Sequence, residues 1–116
     1  MNKIYYLSSC STCSRIIKDL GITPKDFIMQ DIKTEKITSA QLEEMKQLSG
    51  SYESLFSRVA LKYRQLGLDK MKLNEAGYKK YILEEYTFLK RPVILIGKQI
   101  FVGNSKSTIA AAKTAL

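Results

Sequence analysis

Ile4-Tyr5-Tyr6-Leu7, Cys10-Ser11-Thr12-Cys13 and Arg15-Ile16-Ile17-Lys18-Asp19-Leu20 follow one another closely at the start of the chain. An apolar run, a pair of thiols and a helical pattern in that order predict a strand that turns into a helix at the cysteines. These are the only two cysteines among 116 residues. At such a turn the unpaired N–H groups and the dipole of the helix stabilise a thiolate, which makes Cys10 a candidate nucleophile. A thiolate that attacks an oxidised substrate is left with a covalent adduct, and a second thiol one helical turn away can release it. Cys13 stands at that distance.

The same spacing also occurs in half zinc sites, in structural disulfides and in pairs of inert buried thiols. With no histidine and no second Cys-x-x-Cys, a four-ligand zinc centre would need carboxylates. The βα context favours nucleophilic or redox-active thiols.

The length suits one compact domain, residues 1–116. No signal-like segment and no apolar run of membrane-spanning length occurs, so the chain reads as cytoplasmic with no membrane partner. In a reducing cytosol a close cysteine pair is more often catalytic or redox-sensing than structural. The net charge of +8 is uneven: residues 89–116 carry five basic side chains and no acidic one. That region suits an anionic substrate or an acidic partner. Aromatic residues are not interleaved with the cations, which argues against direct nucleic-acid binding.

Along the chain, residues 3–7 read as a strand, 11–20 as a helix stopped by Gly21, and Phe27-Ile28-Met29 as a strand ending near Asp31. This is a βαβ unit with parallel strands, and the cysteines lie at the carboxyl end of its first strand, where open α/β sheets place their sites. A helical segment follows over about 35–89. Thr38 and Gln41 form a capping-box signature, with Leu42, Met45 and Leu48 at helical spacing and Gly50 as the stop. Leu55, Phe56 and Val59 suggest a short helix, and Asn74 caps another carrying Tyr78, Tyr81, Ile82 and Tyr86 on one side. Pro92-Val93-Ile94-Leu95-Ile96 and Gln99-Ile100-Phe101-Val102 form a hairpin around Gly97-Lys98. A last helix follows, with Ile109, Ala112 and Leu116 as its buried side.

The order βαβ, helical insertion, ββα resembles the thioredoxin fold, an α/β architecture with a mixed four-stranded sheet. More closely, the chain resembles the arsenate reductase family of the glutaredoxin-linked type, which includes the Spx-like regulators. The motifs that carry this resemblance are Ser9-Cys10-Ser11-Thr12-Cys13-Ser14-Arg15, Leu55-Phe56-Ser57-Arg58, Leu89-Lys90-Arg91-Pro92-Val93-Ile94 and Val102-Gly103. The resemblance implies that Cys10 attacks an oxyanion or an oxidised thiol substrate, that Arg58 and Arg91 hold the oxyanion and favour the thiolate, and that Cys13 or an external thiol releases the adduct. A guanidinium suits this role because it stays charged and grips two oxygens at once. The resemblance further implies a cis Pro92 beside the cysteines and no tightly bound cofactor, with glutathione and glutaredoxin, or thioredoxin, as electron donor. The family's third oxyanion arginine is replaced here by Gly103. For the Spx-like members, the resemblance implies a Cys10–Cys13 redox switch and a contact between Gly50 and the C-terminal domain of the RNA polymerase α subunit.

Overall fold

The computed structural model describes residues 2–116. The chain divides into two compact units, one formed by residues 1–36 and 91–116 and the other by residues 37–90.

The first unit holds β1 (Asn2–Tyr6), α1 (Ser11–Leu20) and β2 (Phe27–Asp31), then β3 (Val93–Ile96), β4 (Gln99–Val102) and α5 (Lys106–Ala115). Its sheet order is β2-β1-β3-β4. β1 and β2 run parallel, from Asn2 opposite Phe27 to Tyr6 opposite Asp31. β3 lies antiparallel to β1, with Lys3 opposite Leu95, and β4 antiparallel to β3, with Ile94 opposite Phe101. This is the mixed four-stranded sheet expected from the sequence. β3 is a continuous apolar run because Val93, Ile94 and Leu95 are all buried, as a central strand covered on both faces requires.

Ile16 and Leu20, four residues apart on α1, share one buried face with Cys13. They pack in one cluster with Ile4, Phe27, Ile94 and Ala112. Burying side chains of this size contributes about 1.5–3 kcal/mol each. The α1 helix ends at Gly21, whose φ of 66° permits the Ile22 N–H to reach the Ile17 carbonyl at 3.0 Å. In α5, Ala112 is buried, but Leu116 lies beyond the last helical residue and is 52% exposed, contrary to the periodicity.

The second unit holds α2 (Ser39–Ser49), α3 (Leu61–Gln65) and α4 (Glu75–Glu84), with single 3₁₀ turns at Glu53–Leu55, Leu68–Lys70 and Tyr86–Phe88. The capping box of α2 is complete: the Gln41 N–H donates to Thr38 Oγ1 and the Thr38 N–H to Gln41 Oε1, both at 3.1 Å. Leu42 and Met45 are buried, whereas Leu48 faces out. Three-residue steps fall short of a full turn, so Leu48 has rotated about 240° from Leu42 and left the buried stripe.

The short helix expected over Leu55, Phe56 and Val59 is instead a 3₁₀ turn followed by extended backbone. Phe56 bridges Leu89, the Ser57 N–H donates to the Phe88 carbonyl at 2.7 Å and the Lys90 N–H to the Leu55 carbonyl at 2.8 Å. This pairing seats the Phe56 ring against Phe88 (5.1 Å between centroids), Tyr78 (5.0 Å) and Tyr63 (5.8 Å). Val59 is left 93% exposed. Asn74 caps α4 by accepting the Gly77 N–H, and the Glu75 carboxylate accepts the N–H groups of Tyr52 and Glu53. Tyr78 and Ile82 are buried on α4, while Tyr86 falls outside it because the helix ends at Glu84. Among the described residues, no helix is long and apolar enough to cross a membrane.

Candidate active site

β1 ends at Tyr6 and the chain makes a tight turn, closed by the Cys10 N–H on the Leu7 carbonyl at 3.0 Å. That turn leaves Cys10 at the N-cap of α1 with extended backbone (φ −91°, ψ 115°). Its carbonyl accepts the Ser14 N–H at 3.1 Å and so starts the helix. Cys10 is partly exposed and Cys13, one turn later, is 0% exposed; both are free thiols.

The two thiols are pushed in opposite directions. Partial burial by itself raises the Cys10 pKa. The N–H of Cys13, the Cys13 thiol, the N–H of Thr12 and the charge of Arg91 more than offset this, so Cys10 lies below the ordinary thiol value. In the thiol form the sulfur makes no capping hydrogen bond, and it is the thiolate that these donors favour. Cys13 is pushed up to about 11, chiefly by burial and further by the neighbouring Cys10, against the lowering effects of the Leu7 backbone and Arg91. Ionisation of the pair therefore starts at Cys10.

Arg91 stands two residues before β3, and the Arg91–Pro92 peptide bond is cis. The Pro92 carbonyl accepts the Gly103 N–H at 2.9 Å, which ties this bend to the end of β4. Gly103 has φ +89°, and no heavy atom lies within 4 Å of where its Cβ would stand. Space is therefore open, but the backbone is in the left-handed region that favours glycine, so a side chain at this position would be strained. Gly103→Arg is expected to lose about 1–2 kcal/mol of stability through backbone strain, read as a lower midpoint in urea denaturation.

Cys10, Cys13 and Arg91 thus come together in the first unit, which also holds Pro92. Arg58 and Gly50 belong to the second. Arg58 pairs with Glu53 at 2.7 Å and donates to the Tyr78 hydroxyl at 2.9 Å. Gly50, exposed and with φ 102°, ends α2 by donating its N–H to the Lys46 carbonyl. Among the described residues, no group of three or more His, Cys, Asp or Glu is placed to hold a metal ion.

One contact was not singled out from the sequence. The Ser8 hydroxyl donates to Asp31 Oδ2 at 2.5 Å, joining the cysteine turn to the end of β2. Parallel pairing of β1 with β2 is the signal that puts these two residues at the same end of the sheet.

The ArsC family model matches residues 5–112 of the chain. No curated protein matches it significantly. Among solved structures, the chain is similar to the YffB protein (22% identity, TM-score 0.78, covering 97% of this chain and 98% of that one). It is also similar to an arsenate reductase (ArsC) related protein from Brucella melitensis (24% identity, TM-score 0.70, 95% and 92% covered). An arsenate reductase from Vibrio cholerae is a third such structure (18% identity, TM-score 0.74, 95% of each chain covered). At these identities the likeness establishes a shared fold, the thioredoxin-like arrangement with a helical insertion. The family match spans nearly the whole sequence, and the chain belongs to the ArsC family.

Proposed function

We propose that the chain is a thiol-dependent reductase that uses Cys10 to attack arsenate or a closely related oxyanion. The observation that carries this reading is the partly exposed Cys10 at the N-cap of α1 with the buried Cys13 one turn on; the charge of Arg91 acts on both and favours the Cys10 thiolate. The Cys10 thiolate attacks arsenic, an S–As bond forms, and an As–O bond breaks as the departing oxygen takes up protons and leaves as water. Arsenic remains pentavalent. Cys13 then attacks the Cys10 sulfur and loses its proton to solvent. An S–S bond forms, and the electron pair of the broken S–As bond stays on arsenic, which leaves as trivalent arsenite. Two electrons from glutathione with glutaredoxin, or from thioredoxin, return the disulfide to two thiols.

The order of steps follows from the coupling between the sulfurs. While Cys10 is a thiolate, its charge helps to keep Cys13 protonated. Once Cys10 is joined to arsenic its thiolate charge is replaced by the charge of the arsenate oxygens, which a guanidinium such as Arg91 suits, and Cys13 loses its proton as it attacks. Arg91 favours the thiolate and suits an oxyanion as ligand.

Arsenate turnover by purified protein, with each donor system in turn, tests the reading; no turnover with any donor overturns it. Arg91→Ala is expected to lower kcat/KM about tenfold to a hundredfold, the worth of one charge-assisted contact. Because Arg91 stabilises the thiolate, its loss also moves the acidic limb of the rate–pH profile upward. A profile that stays in place refutes the assignment. Arg58→Ala in the same assay tests the role that the family implies for that residue.

A second reading, an Spx-like redox-switch regulator, is favoured by the exposed position of Gly50 beside the C-terminal end of α2. Titration of oxidised and reduced protein with the C-terminal domain of the RNA polymerase α subunit distinguishes it. Binding in neither state removes it.

A further inference from the structure

We infer that Asp31 is a positioning residue for Cys10, gripping through Ser8 the turn that delivers the thiol to the first turn of α1. This rests on reading Cys10 as the nucleophile.

Asp31 is the last residue of β2 and stands opposite Tyr6, the last residue of β1. The Ile32 N–H donates to the Tyr6 carbonyl at 2.9 Å, so the two strand ends are joined through backbone. Beyond Tyr6 no ladder holds the chain until α1 begins, and Cys10 lies within that interval. The closing bond of the turn, Cys10 N–H to the Leu7 carbonyl, fixes its shape but not its direction. Direction comes from the side. Asp31 Oδ2 accepts the Ser8 hydroxyl, two residues ahead of Cys10.

Asp31 is itself anchored. Its Oδ1 accepts the Lys33 N–H at 3.1 Å, and its carbonyl accepts the Glu35 N–H at 2.8 Å and the Thr34 hydroxyl at 3.4 Å. The carboxylate thus has one oxygen committed to its own loop and the other to the turn. The Ser8 hydroxyl is also the main reason that the Asp31 carboxyl lies below the usual carboxylate range, with the Lys33 N–H, the Ser8 N–H and the Lys33 charge assisting against slight burial. Asp31 is therefore ionised wherever Cys10 titrates, and the grip does not switch with pH in that range.

The grip matters because Cys10 gains its acidity from the direction of its sulfur relative to the N–H groups of Cys13 and Thr12. Interactions with helix-terminal dipoles fall off within one turn. A turn that swings loose costs the thiolate part of that stabilisation. Through-space charge has the opposite sign, since deleting a nearby carboxylate would make Cys10 easier to ionise.

The test is the rate of iodoacetamide alkylation at Cys10 against pH, followed by mass spectrometry in the full chain, so that arsenate chemistry plays no part. Ser8→Ala, which changes no charge, and Asp31→Ala are each expected to raise the midpoint of the profile. At pH 7 the rate should fall about two- to fivefold, as expected for losing part of a helix-terminus interaction. Ser8→Thr, which keeps the hydroxyl, restores the wild-type midpoint. Circular dichroism confirms that each variant is folded. A midpoint that is unchanged in either alanine variant, with only thermal stability reduced, overturns the inference, as does a midpoint that falls. Failure of the reading it rests on shows separately, as a wild-type Cys10 that alkylates no faster than a peptide cysteine.

Discussion

Cys10→Ser abolishes arsenate turnover, with a loss of about a thousandfold or more, because an alcohol in place of a thiolate removes the nucleophile outright. The effect should be confined to chemistry. Cys10 is partly exposed at a helix N-cap, and serine is a better capping residue than cysteine, so thermal stability is unchanged or slightly raised. Cys13→Ser behaves differently. Its Cys10 still attacks, but the buried partner that would expel arsenite is gone, so intact-protein mass spectrometry finds an arsenic adduct on Cys10 in place of the Cys10–Cys13 disulfide. Equal turnover in wild-type protein and Cys10→Ser would refute the nucleophile. A disulfide-free cycle at full rate in Cys13→Ser would assign the release step to an external thiol. The pH dependence follows with its sign. Cys10 lies below the ordinary thiol value, so attack is fastest above its pKa and is lost as pH falls through it. Cys13, pushed up to about 11 beside the free Cys10, does not compete with it for the first attack near neutrality.

Phe56→Ala is the substitution with the largest expected effect on stability, about 3–5 kcal/mol by comparison with other fully buried phenylalanines. Its ring is 0% exposed and stacks on Phe88, with Tyr78 and Tyr63 against it. Removing it leaves a cavity walled by the rings of Phe88, Tyr78 and Tyr63. Since a domain of this kind has only about 5–15 kcal/mol in total, urea denaturation should show a much lower midpoint. Phe56→Leu, which keeps most of the volume, recovers the greater part. A loss below about 1 kcal/mol in Phe56→Ala would show that the second unit does not depend on this cluster.

Periodicity located α1, β2, the β3–β4 hairpin and the caps at Thr38 and Asn74, because each is decided by neighbours within a few residues. It misjudged Leu48, where steps of three carry a side chain out of the stripe. It misjudged Leu55–Val59 as well, where the preference of Phe56 for a distant ring cluster overrides the local pattern. At the candidate site the cysteine pair and Arg91-Pro92 were legible as motifs. The reach of Asp31 to Ser8 was not, since 23 residues separate the two in the chain and only strand pairing joins them.

By itself the sequence determined that two thiols one turn apart begin a helix after a strand, since that follows from apolar spacing and the absence of other cysteines. It also determined the order of elements, and with it the family. Tertiary structure decided what makes the two thiols unequal. Acidity depends on which sulfur the fold buries and which it leaves at the mouth of a helix under a guanidinium, and Arg91 arrives there from 78 residues beyond Cys13 in the chain.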